Sequence, residues 1–422
     1  MAAEDMGPAG APALRAGADR PERAVAAAAI FAAFLRLGLT SFGGPIAHLG
    51  YFQADLVRRR QWLDERTYAD LVGLCQFLPG PASSQVGFGI GLLRGGWRGG
   101  LAAWAGFTLP SAVLMVLFAE GADSLTASPL GPGLAHGMKL VAVAVVAQAV
   151  WGMARSLCPD RERASVATLA AVLVLSAPTA VGQVAAIALG GLAGLRLCRS
   201  AGAGVDPDPP GRPAIPVARF AVSRLAGTCC LALFAALLLV PPFLHGLGTG
   251  IAVFDAFYRS GSLVFGGGHV VLPLLREAVV GAGWVPDSVV LTGYGAAQAM
   301  PGPLFTFAAY LGAALPGARG GLAGAAIALV ALFLPGLLLL VGVLPFWDRL
   351  RARPRMQGAV RGVNAAVVGL LGAALYDPVW TGAIHRPQDV ALALVGVVLL
   401  VAWRAPPILV VVLGAASGLA LG

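Results

Sequence analysis

Charge is scarce in this 422-residue chain, where only 12% of residues are Asp, Glu, Lys or Arg. A soluble domain carries about 25%, so an ordinary water-facing surface is excluded. Of 29 basic residues only one, Lys139, is a lysine. The apolar/polar alternation of strands is missing, which excludes an outer-membrane barrel. No Ser-His-Asp set, HExxH, Walker loop or CxxC occurs, so no enzymatic apparatus is visible and no cofactor is implied. Cys75, Cys158, Cys198, Cys229 and Cys230 have no metal-ligand spacing and mostly lie in apolar runs. They read as small core residues.

What is present is apolar and glycine-rich. The chain is 58% hydrophobic with 58 glycines, and its mean hydropathy is +0.81. Apolar stretches lie at 101–119, 138–154, 164–198, 225–253, 320–345, 357–375 and 388–422; several exceed the ~20 residues of a spanning helix, and some must hold two spans. The expected class is an all-α polytopic membrane protein. A formal charge of +9 does not imply nucleic acid, because the arginines sit between apolar runs where the positive-inside rule places them. Residues 1–24 mix both signs without an apolar core and read as a cytoplasmic tail, not a cleaved signal peptide.

The chain repeats itself. "FAAFLRLGLTSFGG" at 31–44 lies over "FDAFYRSGSLVFGG" at 254–267, with eight of fourteen positions identical. The similarity continues, with the spacing shifted by one residue: Trp62 matches Trp284, Gln76 matches Gln298, and the PGP at 79–81 matches the PGP at 301–303. Leu109-Pro110 matches Leu334-Pro335, each read as a helix end, and "GMKLVAVAVV" from 137 matches "GVNAAVVGLL" from 362. The boundaries are a first repeat at 25–198, a polar Pro/Gly/Asp linker at 199–216 and a second repeat at 217–422. Arg58, Arg59, Arg60 and Arg66 precede the first PGP, whereas only Arg276 precedes the second. Later the bias reverses: 121–133 has no basic residue, and 346–358 has Arg349, Arg351, Arg353 and Arg355. Opposite signals predict two inverted-topology repeats with broken or re-entrant helices, and a site near the midplane.

The candidate site follows from the breaks. Ser41, Phe42, Gly43 and Gly44, and the matching Phe265, Gly266, Gly267 and Gly268, interrupt apolar helices. A helix resuming beyond such a break offers its N-terminus, worth about +0.5 charge, to an anion. The competing reading is close helix packing by small residues. Pro79, Gly80 and Pro81, with Pro301, Gly302 and Pro303, form turns that end one helix and start another. Gln76 and Gln298 precede them, while Ser83, Ser84 and Thr306 place hydroxyls in the following first turns. Those donors suit an oxyanion, and plain helix capping is the alternative.

Arg36 and Arg259 each stand six residues before a Phe-Gly-Gly. A charge at the bilayer centre costs at least ~2.5–3.5 kcal/mol, so each is read as facing the substrate or its path. Snorkelling to the surface is the alternative. Six residues span about 9 Å of helix. Lys139, with Asn364 as its repeat partner, is a candidate for proton coupling or anchoring, and His48 and His269 follow the breaks as further candidates.

"FLRLGLTSFGGPIAHLGYF", "WLDERTYADLVGLCQFLPGPASSQ", "GSLVFGGGHVVLPLL" and "GYGAAQAMPGPLFTFAAYLGA" resemble the chromate ion transporter family in its long, two-repeat form, over about residues 30–375. The resemblance implies chromate efflux across the bacterial cytoplasmic (inner) membrane, chromate resistance, and sulfate as a structural analogue. It also places emphasis on Arg36, Gly43, Gly44, Pro79, Gly80, Pro81 and their second-half matches. The residues themselves reach only as far as an oxyanion transporter in a lipid bilayer, with a homodimer as one compatible assembly. A sulfate or other oxyanion carrier, a channel, a membrane-bound chromate reductase and a structural membrane protein are the alternatives.

Overall fold

The computed structural model describes residues 25–42, 44–126, 131–177, 179–198, 222–265, 270–347 and 353–421. Among them every regular element is helical. Helix α1 (Ala27–Thr40) buries Ile30, Ala33, Phe34, Leu37 and Gly38, one stripe at helical spacing. Helix α2 (Gly44–Phe52) continues as π turns to Arg59. Nine α-helical residues rise about 13.5 Å, well short of the ~30 Å hydrocarbon core. The Phe52 ring packs edge-on to Phe34 with centroids 5.5 Å apart, so α2 turns back along α1. The pair is a re-entrant hairpin with its tip at the glycine break.

Helix α3 (Glu65–Phe77) starts where Asp64 accepts a hydrogen bond from the Thr67 N–H at 2.8 Å, a standard N-cap. It ends at the first PGP turn. Helix α4 (Ala82–Thr126) then begins and is broken at Gly95 and Gly96. Gly96 has φ +60, a conformation that favours glycine. A Cβ on Gly91 would stand 2.3 Å from the Gly99 carbonyl oxygen, so the two limbs of α4 double back. The Val25 N–H donates to the Arg94 carbonyl at 2.9 Å, which puts the end of the first limb at the membrane face where α1 begins. Helix α3 and the first limb are therefore a second re-entrant hairpin entering from that face. Four crossings follow: the second limb of α4, α5 (Gly131–Leu157), α6 (Arg161–Ser176) and α7 (Ala180–Leu197).

Helix α8 (Arg224–Leu239) stands between the halves. The repeat register would place its counterpart at 1–16, which lies outside the described residues and contains no apolar run. An even number of crossings plus this additional one brings the second half in from the opposite face.

The second half repeats the plan with α9 (Thr249–Ser262), α10 (Val271–Val279), α11 (Asp287–Ala297), a 3-10 turn (Leu304–Thr306) leading into α12 (Phe307–Ala314), α13 (Gly321–Val343), α14 (Pro354–Ala374), α15 (Pro387–Val401) and α16 (Pro407–Leu421). Gly321, at φ +65, stands where Gly96 does. Gly312 meets the Gly324 carbonyl as Gly91 meets that of Gly99. The repeats are thus inverted, and the arginines agree: Arg58, Arg59, Arg60, Arg94, Arg155, Arg161, Arg196 and Arg355 fall at one face.

Packing between the halves is reciprocal. Gly190 and Gly194 of α7 press on the backbone of Gly362 and Gly358 in α14. Gly418 and Gly414 of α16 press equally on Gly133 and Gly137 of α5. Small residues four apart allow this approach, and the exchange is that of a pseudo-twofold pair. Among the described residues, four helical segments are long and apolar enough to cross a membrane: Ala82–Gly121, Gly131–Leu157, Gly321–Phe346 and Arg355–Trp380. The shorter α6, α7, α8, α15 and α16 complete the alternation.

One sequence expectation is corrected. Pro110 and Pro335 lie inside α4 and α13 and do not end them. Membrane helices tolerate proline because neighbours satisfy the freed carbonyls. Gly43, Gly266, Gly267, Gly268 and His269, together with the tail at 1–24 and the linker at 199–216, lie outside the described residues.

Candidate functional site

The two motif types meet across the halves. The Gly80 N–H of the first PGP turn donates to the Val264 carbonyl at 2.7 Å, just before the second break. The Gly302 N–H of the second PGP turn donates to the Ser41 carbonyl at 2.8 Å, just before the first break. Val264 and Ser41 are repeat partners, as are Gly80 and Gly302. Each break therefore faces the other half's turn.

Backbone dictates glycine at both turns. Gly80 has φ +121 and Gly302 has φ +91. A Cβ on Gly80 would stand 2.8 Å from the Gly336 Cα, and one on Gly302 would stand 3.2 Å from the Phe107 carbonyl. Pro81, Pro301 and Pro303 are buried beside them and Pro79 is half-buried. Gly44 opens α2 at φ +77. Phe42 and Phe265 flank the breaks, half-buried.

Polar side chains gather on the first-half side. Ser41, His48, Ser83, Ser84, Gln85, Thr108, Ser111 and Thr306 are each at most 3% exposed. His48 Nδ1 and Ser83 Oγ are 3.4 Å apart, which joins α2 to the first turn of α4. The His48 ring packs edge-on to Phe107 at 5.2 Å, beside Thr108. Gln85 Nε2 donates to the carbonyls of Pro79 at 3.0 Å and Gly336 at 2.9 Å. Ser111 contacts Thr306 across the halves, and the Thr306 hydroxyl donates to the Pro303 carbonyl at 2.8 Å. Five of these groups have an atom with no hydrogen-bond partner among the described residues: Ser41 Oγ, His48 Nε2, Ser84 Oγ, Gln85 Oε1 and Thr108 Oγ1. Buried polar atoms are normally paired, and each exception calls for a water or an ion. Three hydroxyls, with the first turn of α4 pointing inward, can donate to the oxygens of a bound anion.

The arginines are not brought to this crossing. Arg36 is exposed on the face of α1 away from its buried stripe. Residue spacing alone gave no direction: Leu37 and Gly38 face inward, and Arg36 is turned about 100° and 200° from them. Arg259 is exposed too. It pairs with buried Asp255 at 2.8 Å and donates to the Leu238 carbonyl at 3.3 Å. Arg36 lies on the hairpin that enters from the arginine-rich face and Arg259 on the one that enters from the other, each nearer its helix's end than its start. Gln76 is exposed, and Gln298 is half-buried with its Nε2 unpartnered. Lys139 and Asn364 are half-buried at matched points of α5 and α14. One turn from Lys139, His136 Nε2 meets Asp389 Oδ1 at 2.8 Å.

Sequence reasoning passed over Thr108 and Ser111, which lie inside an apolar run. The available signal was their place on either side of Leu109-Pro110, itself matched in the repeat.

Inverted repeats, paired re-entrant hairpins and a buried polar crossing define a multi-pass membrane protein with the architecture of secondary transporters. The chain belongs to the chromate transporter family, whose profile matches residues 28–195 and 251–419. It is 30% identical over 398 residues to a chromate transport protein of Pseudomonas aeruginosa, covering 92% of this chain and 90% of that one. It is 27% identical over 393 residues to a probable chromate transport protein of Synechococcus elongatus, covering 91% and 93%. A chromate transport protein of Cupriavidus metallidurans is 26% identical over 387 residues, covering 91% and 90%. No solved structure matches the chain.

Proposed function

We propose that this protein is a secondary transporter that exports chromate across the bacterial cytoplasmic membrane and so confers chromate resistance. The anion binds at the crossing, on Ser41, Ser84 and Thr108 and the first turn of α4. The observation that carries this reading is the set of buried, unpartnered hydroxyls beside two backbone links that each join one half to the other. The names of the similar proteins supply chromate as the substrate.

The two arginines support the outward direction. Arg36 stands without an acid at the preceding turn, where Ala32 takes the place of Asp255. It attracts anions at the cytoplasmic side. Arg259, paired with Asp255, holds them less at the exit. A negative-inside potential drives a dianion outward by about 4.6 kcal/mol at 100 mV. The test is uptake of labelled chromate into everted vesicles, with sulfate as competitor. Chromate flux that sulfate competes only weakly is the expected result. Absence of chromate flux, together with no resistance on expression, overturns the proposal. Because hydroxyl donors fit any tetrahedral dianion, stronger transport of sulfate would assign the same site to sulfate.

A further inference from the structure

Helices α6 and α7 lean on α14 and part from one another, leaving a cleft of about 800 Å³. Its walls are apolar: Leu169 and Leu173 from α6, and Leu189 and Leu192 from α7. Arg196, in the last turn of α7, and Arg355, in the first turn of α14, line the same cleft, and no acidic residue does. Neither arginine has an ion-pair partner among the described residues. Arg361, further along α14, donates to the Cys198 carbonyl at 3.1 Å, so the end of α7 and the start of α14 are tied at one membrane face. That is the arginine-rich, cytoplasmic face. From Ala186 to Leu197 the cleft follows α7 for about 16 Å, the depth of one leaflet of a ~30 Å core.

The counterpart in the second half is closed. The gap lined by α5, α15 and α16 is only about 40 Å³ and has no arginine. In an inverted repeat that gap belongs to the opposite leaflet. A cleft open in one half only is not a by-product of the repeat, and its charge matches the anionic leaflet of the cytoplasmic side.

We propose that the α6–α7 cleft is a binding site for an anionic phospholipid of the cytoplasmic leaflet. Its phosphate pairs with Arg196 and Arg355, and one acyl chain lies along Leu169, Leu173 and Leu189. The arginine fork suits a phosphate oxygen pair. Lipid here would brace the α6–α7 hairpin against α14 of the other half.

The test uses the full-length protein in detergent after delipidation, titrated separately with dioleoyl phosphatidylglycerol and dioleoyl phosphatidylcholine. Retention is read by native mass spectrometry, and thermal unfolding is followed in parallel. Two arginines beside an anionic headgroup predict about thirtyfold tighter retention of phosphatidylglycerol. In the double variant Arg196→Gln/Arg355→Gln this preference falls to about threefold or less. Leu189→Trp, which fills the cleft from an exposed wall, lowers retention of both lipids and keeps the protein assayable if the double variant does not fold. Equal retention of the two lipids by the unaltered protein overturns the proposal. So does a preference that survives the double variant. A lipid-free dimer that Leu189→Trp dissociates also overturns it, since the cleft would then seat a second copy of the chain.

Discussion

The two halves share a backbone and differ in what fills it. Gly80 and Gly302 take matching left-handed turns, Gly96 and Gly321 matching breaks, and each PGP glycine bonds the other half's break. Around the crossing the side chains diverge. Where the first half has Ser83, Gln85, Thr108 and Ser111, the second has Phe305, Phe307, Phe333 and Gly336. Only Ser84 and Thr306 keep a hydroxyl at the same position. Phe305 and Phe333 pack ring to ring at 5.9 Å, so the second-half side is sealed by aromatics. Symmetry is kept where geometry allows one residue type, and lost where chemistry is free to vary. The buried hydroxyls are thus concentrated in one half's elements and not mirrored in the other's.

The largest break in this comparison is predicted at the glycines themselves. Gly80→Ala and Gly302→Ala each force a side chain into the left-handed region, at roughly 1–3 kcal/mol. Gly80→Ala adds a clash with the Gly336 backbone and is expected to be the worse of the two. Thermal unfolding in detergent should show both variants destabilised, Gly80→Ala most, with chromate flux lost in step. Equal stability of Gly80→Ala and the parent protein would mean the crossing is not tight.

The next effect separates the two sides. Ser84→Ala and Thr108→Val each remove a donor that a bound dianion would use. A hydrogen bond to a charged group contributes about 1.5–3 kcal/mol, so chromate flux should fall about 10- to 100-fold for each. Stability should hold or rise slightly, because an unpartnered buried hydroxyl is removed. Phe333→Leu, at the position matching Thr108, should cost about 1 kcal/mol of stability and change flux less than about threefold. Flux that falls equally on the two sides would show that the polar asymmetry has no part in binding.

Much of this was legible in the residues. Repeated glycines and prolines mark backbone constraints, and those survive duplication in register, so the fold and its inversion could be read from Gly80, Gly302 and the opposed arginine clusters. Side-chain direction was not legible. Arg36 and Arg259 lie close to the breaks in sequence, but helical phase turns them outward. Thr108 and Ser111 were hidden because two hydroxyls barely dent an apolar run. The pairing of each break with the opposite PGP turn depends on long-range packing that no local pattern encodes.

The arginines give the smallest and most directional difference. Arg36 has no acid at the preceding turn, where Ala32 stands, whereas Arg259 on the oppositely inserted hairpin is paired with Asp255. A charge on an anion's approach, outside the binding site, acts mainly on the encounter rate and is screened within about 10 Å at 0.1 M salt. In everted vesicles the cytoplasmic face meets the medium, so Arg36→Gln should slow initial chromate uptake about threefold at low salt. The deficit should vanish as ionic strength rises toward 1 M. Arg259→Gln should leave that rate within about twofold at any salt, since Asp255 already offsets its charge. A salt-independent loss in Arg36→Gln would move that arginine from the approach path into the binding site. Equal losses in the two variants would remove the directional asymmetry and leave outward transport to the membrane potential alone.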